Sequence, residues 1–221
     1  MTKKEAVLDN VDIADLKTAG PISGDNGVEP VFNDSEYAVE VALEGRAPLL
    51  FHRYDTQAVK EKGEAKKGSN EKKTDNIQSY THRDSDGYLS VPAVAIWACL
   101  GEAARSMRDP RSPRKALRDL ARAGLRVEPF MVPILPKTKE WHYIDRQRVV
   151  VQRAAITRER PAIKEGWKLK FNLIVLAGEY LNEDLVHDLV YRSGRYVGLL
   201  DGRPLYGLFR VTGFKRVKLE D

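Results

Sequence analysis

The chain has 221 residues, and its 42% hydrophobic content is sufficient to bury a real core, while 8% aromatic and 31% charged residues are typical of a soluble protein. Its longest apolar stretch, residues 91–100, is about half the ~20 residues that a membrane span needs. We expect no secretory signal, because no basic-then-apolar pattern opens the sequence. A single cysteine, Cys99, cannot form an internal disulfide, so we predict a cytoplasmic location.

The net charge of +5 is distributed unevenly along the chain. Residues 1–45 contain three lysines and ten acidic residues (net −7), whereas residues 46–221 contain 34 basic and 22 acidic residues (net +12). A basic body favours a polyanionic partner such as nucleic acid. A solvated basic protein with an ordinary acidic tail is the alternative interpretation.

Residues 1–34 are predicted to be an acidic, flexible N-terminal arm, and residues 35–221 a single nucleic-acid-binding domain. The arm is either a solvated tail or a segment that docks on a basic groove of its own chain or of a neighbour.

Residues 37–43 alternate between apolar and small or polar residues and predict the first strand, which Gly45 ends.

A lysine-rich stretch without apolar periodicity follows and predicts a long loop over residues 57–80. Flexible lysines suit contacts with a phosphate backbone, although a solvated insertion explains them nearly as well. The lysines of this loop that we expect to bind nucleic acid are Lys66, Lys67, Lys72 and Lys73.

Two helices are predicted next. A turn at residues 84–87 leads to a helix that begins near Pro92, with small residues that allow close packing on a sheet. Residues 113–123 predict a second, basic helix that ends at Gly124.

The second half of the chain is predicted mainly as extended structure. In chain order its elements are an irregular strand at 125–135, strands at 148–157 and 168–176 joined by a turn around 161–166, a helix at 183–192 capped by Asn182, and a last strand at 205–214. Without its insertions the order is βαββαβ, which predicts an α+β, ferredoxin-like (RRM-like) core with a long insertion at residues 45–90.

A glycine-punctuated basic stretch, residues 194–207, precedes the last predicted strand. Glycines let a backbone approach a ligand closely, Arg195 and Arg203 can pair with phosphates, and Tyr196 and Tyr206 can stack on bases. The alternative is a loop whose glycines only form turns.

Two similar segments flank the lysine-rich loop, and each combines a histidine, an arginine and an aspartate. One interpretation is a nuclease site, with a histidine as general acid or base; its catalytic candidates are His52, Asp55 and His82. A metal site is not predicted, because the spacing of ligands is wrong. We favour a third interpretation, in which Arg53 and Arg83 bind phosphate.

The order of these motifs resembles the RAMP superfamily of CRISPR-associated proteins, closest to the effector-complex backbone subunits that coat guide RNA. The resemblance lies in a strand ending at Gly45, a loop with Asp55, the run Arg83-Asp84-x-x-Gly87-Tyr88-Leu89-Ser90-Val91-Pro92, a helix ending Gly101-Glu102-Ala103-Ala104-Arg105, and a Tyr206-Gly207 stretch before the last strand.

The resemblance implies a ferredoxin-like palm, a thumb-like insertion at residues 45–90, and head-to-tail assembly on a single strand, with other subunits of an effector complex as further partners. It also implies a binding role for Arg105, and it makes Asp55 the nearest match to a loop aspartate with which some relatives cut RNA.

We therefore predict a protein, without cofactor or metal, that binds single-stranded nucleic acid, RNA more than DNA, and assembles along it. The alternatives are a metal-independent endoribonuclease of the same fold and a structural self-assembly protein. The nucleic-acid-binding residues predicted are Arg53, Arg83, Arg105, Lys66, Lys67, Lys72, Lys73, Arg195, Tyr196, Arg203 and Tyr206.

Overall fold

The computed structural model describes residues 35–54, 64, 77–151 and 154–219, and the side chains of these residues apart from 149–156. The predicted arm, most of the lysine-rich loop and Asp55 lie outside the described residues. The largest sheet has four antiparallel strands in the spatial order β11-β1-β10-β6. These strands are β1 (Tyr37–Gly45), β6 (Leu125–Glu128), β10 (Lys168–Val175) and β11 (Phe209–Val217).

The alternating pattern of β1 gives this sheet one apolar and one charged face. Val41 is fully buried and lies opposite Phe171 of β10 in the register. Because successive side chains of a strand point to opposite faces, Glu40 and Glu44 lie on the other face. There they form ion pairs with neighbouring strands, Glu40 with Lys170 (2.8 Å) and Glu44 with Arg210 (2.7 Å). The strand prediction for residues 37–43 is confirmed.

Three α-helices occur among the described residues: α1 (Ala93–Ala103), α2 (Arg118–Gly124) and α3 (Glu183–Arg192). All three contribute buried residues to the core cluster that includes the apolar side of β1 and β10. Asn182 caps α3 as predicted, since its side-chain oxygen accepts a hydrogen bond from the Leu185 amide (2.9 Å).

The connections between these elements are regular. α1 follows β1 and precedes β6, and α3 follows β10 and precedes β11. Each helix therefore joins two strands that run parallel with one strand between them. The prediction of an α+β chain with antiparallel strands is confirmed.

Shorter strands form three smaller sheets around this core. They are β2 (Leu49–Leu50) with the hairpin β8 (Tyr143–Val151) and β9 (Ala154–Ile163), then β3 (Ser90–Pro92) with β7 (Met131–Pro133), and β4 (Arg108–Asp109) with β5 (Ser112–Ala116). Short 3₁₀ turns lie at Ile77–Tyr80 and Ala104–Ser106, and a π turn lies at Ser193–Val197. No helix in the described part of the chain is long and apolar enough to span a membrane.

The predicted helix over residues 113–123 is wrong in its first half. Residues 112–116 pair with β4 as a hairpin, and the helix begins only at Arg118. Asp109 fixes the hairpin turn, because its buried carboxylate accepts hydrogen bonds from the amide (2.9 Å) and the guanidinium (2.7 Å) of Arg111. The contact between Asp109 and Arg111 leaves no mark on the spacing of apolar residues, so the sequence pattern did not reveal the hairpin.

Two strand predictions also differ from the structure. Residues 148–151 and 154–157 lie in the two different arms of the β8–β9 hairpin, with Arg148 opposite Thr157, and β10 pairs with β1 instead of with this segment. The last strand covers 209–217 instead of 205–214. The residues before it stay in the loop, because Gly207 accepts a hydrogen bond from the Leu199 amide across that loop (2.9 Å).

Candidate nucleic-acid interface

A groove of about 1040 Å³ lies between α1, α2, the end of α3 and the loop that precedes β11. Four arginines line it: Arg118 and Arg122 from α2, Arg192 from α3, and Arg203 from the loop. Tyr196 adds an aromatic ring that is 59% exposed. The groove therefore combines positive charge with a flat stacking surface, the two features that bind single-stranded nucleic acid in many proteins.

Not all of these arginines are equally available to a ligand. Arg192 forms an ion pair with Asp188 (2.8 Å) one helical turn earlier. Arg118, Arg122 and Arg203 form no ion pair with any residue in the described ranges. These three guanidinium groups thus add charge that no carboxylate of the described residues neutralises by direct contact.

Glu102 is one of two acidic residues on the groove wall, with Asp201. A hydrogen bond from Arg105 (2.7 Å) and then the charges of Arg105, Arg118 and Arg203 hold the pKa of Glu102 below its ordinary value. Glu102 is therefore ionised near neutral pH, and it holds Arg105 at the edge of the groove.

The glycine-rich loop reaches this groove because its backbone packs closely on itself. Gly207 has φ +71°, and a Cβ there would lie 2.0 Å from the Leu199 carbonyl oxygen. Its amide donates to the Pro48 carbonyl (2.8 Å), while the Asp201 amide donates to Leu50 (3.2 Å). The glycine at 207 is thus required for the folding of the loop, and the loop in turn places Arg203 and Tyr196 on the groove wall.

The side chains of the two other predicted residues in this loop, Arg195 and Tyr206, form hydrogen bonds with residues outside the groove wall. Arg195 lies near the Tyr196 ring (5.6 Å) and donates a hydrogen bond to the Tyr191 hydroxyl (2.8 Å). Tyr206 is half-buried and accepts a hydrogen bond from the Gln147 side chain (2.9 Å), which links the loop to the β8–β9 hairpin. Base stacking by Tyr206 remains a prediction.

The two histidine-containing segments lie next to each other. The Arg53 amide donates to the Tyr80 carbonyl (2.8 Å), and the His52 and Tyr80 rings meet edge to face at 5.0 Å. Burial, and then the charge of Arg53, lower the pKa of His82. Phosphate binding by Arg53, which is exposed, remains a prediction.

Arg83 has a structural role in the loop after this pair of segments. Its guanidinium donates hydrogen bonds to the carbonyls of Gly87 and Lys139 (both 2.8 Å) and to the Thr81 hydroxyl (3.2 Å). The group is therefore tied to the turn at residues 84–87, and its binding to phosphate stays a prediction.

A charged cluster connects the histidine segments to the glycine-rich loop. The Asp201 carboxylate forms an ion pair with Arg160 of β9, and the same Oδ2 atom lies 3.9 Å from His52 Nδ1. No group of three or more metal-ligating side chains occurs within the part of the chain that the structure describes.

Cys99 is buried in the core, which raises the pKa of its thiol to about 12.

Sequence reasoning missed three residues of the groove: Arg118, Arg122 and Arg192. They belong to two helices that are far apart in sequence. The many basic residues at 113–123 indicated a positively charged surface. Because the predicted helix began at residue 113 and the observed one begins at Arg118, the prediction did not show which arginines lie on the same side.

Comparisons with known proteins concern the fold alone. No protein family model matches the sequence, and no curated protein matches it. Among solved structures, the chain is similar to a chain in the cryo-EM structure of the Type III-B Cmr-beta bound to cognate target RNA, with a TM-score of 0.51 and 9% sequence identity. The similarity covers 83% of this chain and 61% of that chain, so this chain spans about three fifths of the neighbour's length.

Proposed function

We propose that this protein is a single-stranded RNA-binding subunit of a CRISPR-associated ribonucleoprotein effector complex. The sheet order β11-β1-β10-β6 and the βαββαβ order of core elements support a ferredoxin-like core of the RAMP type. A similar fold occurs in a chain of the Type III-B Cmr-beta structure, which is bound to cognate target RNA. That likeness favours RNA over DNA.

The observation that carries the proposal is the groove with Arg118, Arg122 and Arg203. Unpaired arginines bind phosphate through their planar fork, and they need not first release an acidic partner. Tyr196 lets a base stack beside them without reading its identity. This combination favours a sequence-tolerant single strand.

The open face of the main sheet is a less suitable binding surface. Its arginines Arg126 and Arg210 are paired with Glu128 and Glu44, and Lys170 is paired with Glu40. Lys168 and Lys215 on the same face have no ion pair with a described residue, but they lack the planar group of an arginine. The helical side of the domain is therefore the better candidate, in contrast to proteins that stack RNA bases on the exposed sheet.

We further propose that copies assemble head to tail along the RNA, beside other subunits, in the cytoplasm. In this arrangement the insertion at residues 45–90 acts as a thumb, and the lysines at 66, 67, 72 and 73 with Arg53 and Arg105 add backbone contacts. The proposed binding needs no cofactor.

The test is fluorescence anisotropy of the full chain with labelled RNA and DNA strands of ~30 nucleotides across a salt series, followed by light scattering of the same samples. We expect salt-sensitive binding, a preference for RNA, and a mass that grows with strand length. Salt-independent binding, or no binding at low salt, refutes the proposal. Tight binding with a constant 1:1 mass refutes only the assembly along the strand.

One contact favours a second candidate function, a metal-independent endoribonuclease. His52 Nδ1 lies 3.9 Å from the Asp201 carboxylate, which is longer than a hydrogen bond, but the contact that orients a catalytic imidazole is often long before substrate binds. The test is incubation of labelled RNA in EDTA. This candidate requires cleavage that is lost in His52→Ala and retained in His187→Ala, and intact RNA under saturating binding excludes it.

A further inference from the structure

Arg122 is held on the groove wall by three contacts with α1. Its guanidinium carbon lies 4.4 Å from the centroid of the Trp97 ring system. The Trp97 indole N–H donates a hydrogen bond to the Arg122 backbone carbonyl (3.0 Å). One helical turn later, Gly101 makes room for the Arg122 side chain, because a Cβ there would lie 3.0 Å from Arg122 Cγ. Helix α1 therefore fixes both the stem and the head of this arginine.

Arg122 contacts an aromatic ring, whereas two nearby arginines contact carboxylates. Arg105 pairs with Glu102 (2.7 Å) and Arg192 pairs with Asp188 (2.8 Å), whereas Arg122 is exposed and has no ion pair with a described residue. A guanidinium has two flat faces, and the 4.4 Å contact brings one side of this group over the indole ring. The other face remains available to a planar ligand.

The groove supplies a second flat surface and separate charges. Tyr196, from the glycine-rich loop, lines the same groove and is 59% exposed. Arg118 and Arg203 are available to neutralise phosphates there. Among the described residues, Arg122 is thus the one arginine of the groove that lies over an aromatic ring.

We propose that Arg122, positioned by Trp97 and Gly101, is a stacking platform for one nucleobase of the bound strand. This inference rests on the proposed RNA binding and assigns one contact within it. Stacking on a guanidinium is tolerant of base identity, because every base has a flat π face. The platform therefore contributes affinity without sequence preference.

The test compares binding of an oligouridine strand with binding of an abasic strand of equal length, for the wild type and for Arg122→Lys. Lysine keeps the charge but lacks the planar group. We expect Arg122→Lys to weaken oligouridine binding about tenfold while leaving the abasic strand and the salt dependence unchanged. Arg210→Lys, on the open face of the sheet, is the matched control and should bind both strands like the wild type.

A second variant tests the positioning by α1 without altering Arg122 itself. Gly101→Ala adds a methyl group against the Arg122 stem, yet alanine favours a helix interior more than glycine does. We expect weaker oligouridine binding with a melting temperature that is unchanged or higher. Binding equal to that of the wild type contradicts the positioning role of Gly101.

The outcomes separate this inference from the proposed function. If the wild type binds neither strand, both proposals fail. If Arg122→Lys binds oligouridine as well as the wild type does, RNA binding stands and the stacking platform is refuted. Equal losses on both strands assign Arg122 to phosphate and also refute the platform. Circular dichroism and thermal melting establish that each variant is folded.

Discussion

Removal of one groove charge gives a quantitative test of the RNA-binding site. Each phosphate neutralised on a single strand changes the slope of log K against log salt concentration by about −0.7. The two unpaired arginines that we assign to phosphates, Arg118 and Arg203, should therefore contribute a slope of about −1.4. That slope alone corresponds to roughly a sevenfold loss of affinity for a fourfold rise in salt. Arg203→Gln should reduce the slope by about 0.7 and weaken binding most at low salt.

The matched control for this prediction is Arg210→Gln. It removes the same formal charge from a residue that is paired with Glu44 (2.7 Å) on the open face of the sheet. The assay is fluorescence anisotropy with one labelled RNA across several salt concentrations. If Arg203→Gln and Arg210→Gln give the same slope, the groove is not the phosphate-binding surface.

Three further predictions concern stability and reactivity. Gly207→Ala should lower the free energy of unfolding by more than Gly166→Ala; a positive φ costs alanine about 1–3 kcal/mol at either site, and only position 207 adds a backbone clash. Burial and the charge of Arg53 lower the pKa of His82 in the folded chain, so the unfolded chain binds a proton at this histidine more tightly than the folded chain does. The free energy of unfolding should therefore fall as the pH drops below 6.5. The Cys99 thiol, whose pKa is about 12, should resist an aromatic disulfide reagent until the protein unfolds.

Each of these predictions has its own control. Urea unfolding compares the two glycine variants, and equal losses of stability contradict the packing argument. For the pH effect, His82→Asn should flatten the dependence between about pH 5 and 6.5, whereas His187→Asn, at an exposed position, should preserve it. Rapid labelling of the native thiol contradicts the buried position of Cys99.

The elements that the sequence predicted correctly depend on local chemistry. The alternation at residues 37–43 predicts a strand because the side chains of a half-buried strand face alternately inward and outward. Asn182 predicts a helix start because its side chain satisfies an amide only three residues away. The turn at residues 84–87 follows from the same kind of contact, since Asp84 Oδ1 accepts hydrogen bonds from the Asp86 (3.1 Å) and Tyr88 (2.8 Å) amides.

Tertiary structure decided the rest. Strand pairing, not helical periodicity, determines residues 112–116 and the β8–β9 hairpin; the partners lie nearby in sequence, but the pattern of one strand does not show which residues of the other lie opposite it. The candidate site is non-local in the same way. Arg122 and Arg203 meet in one groove only after the two helices pack on the sheet and the loop closes at Gly207. The sequence by itself determined that the body is basic, whereas packing determined which of its charges remain unpaired and share a surface.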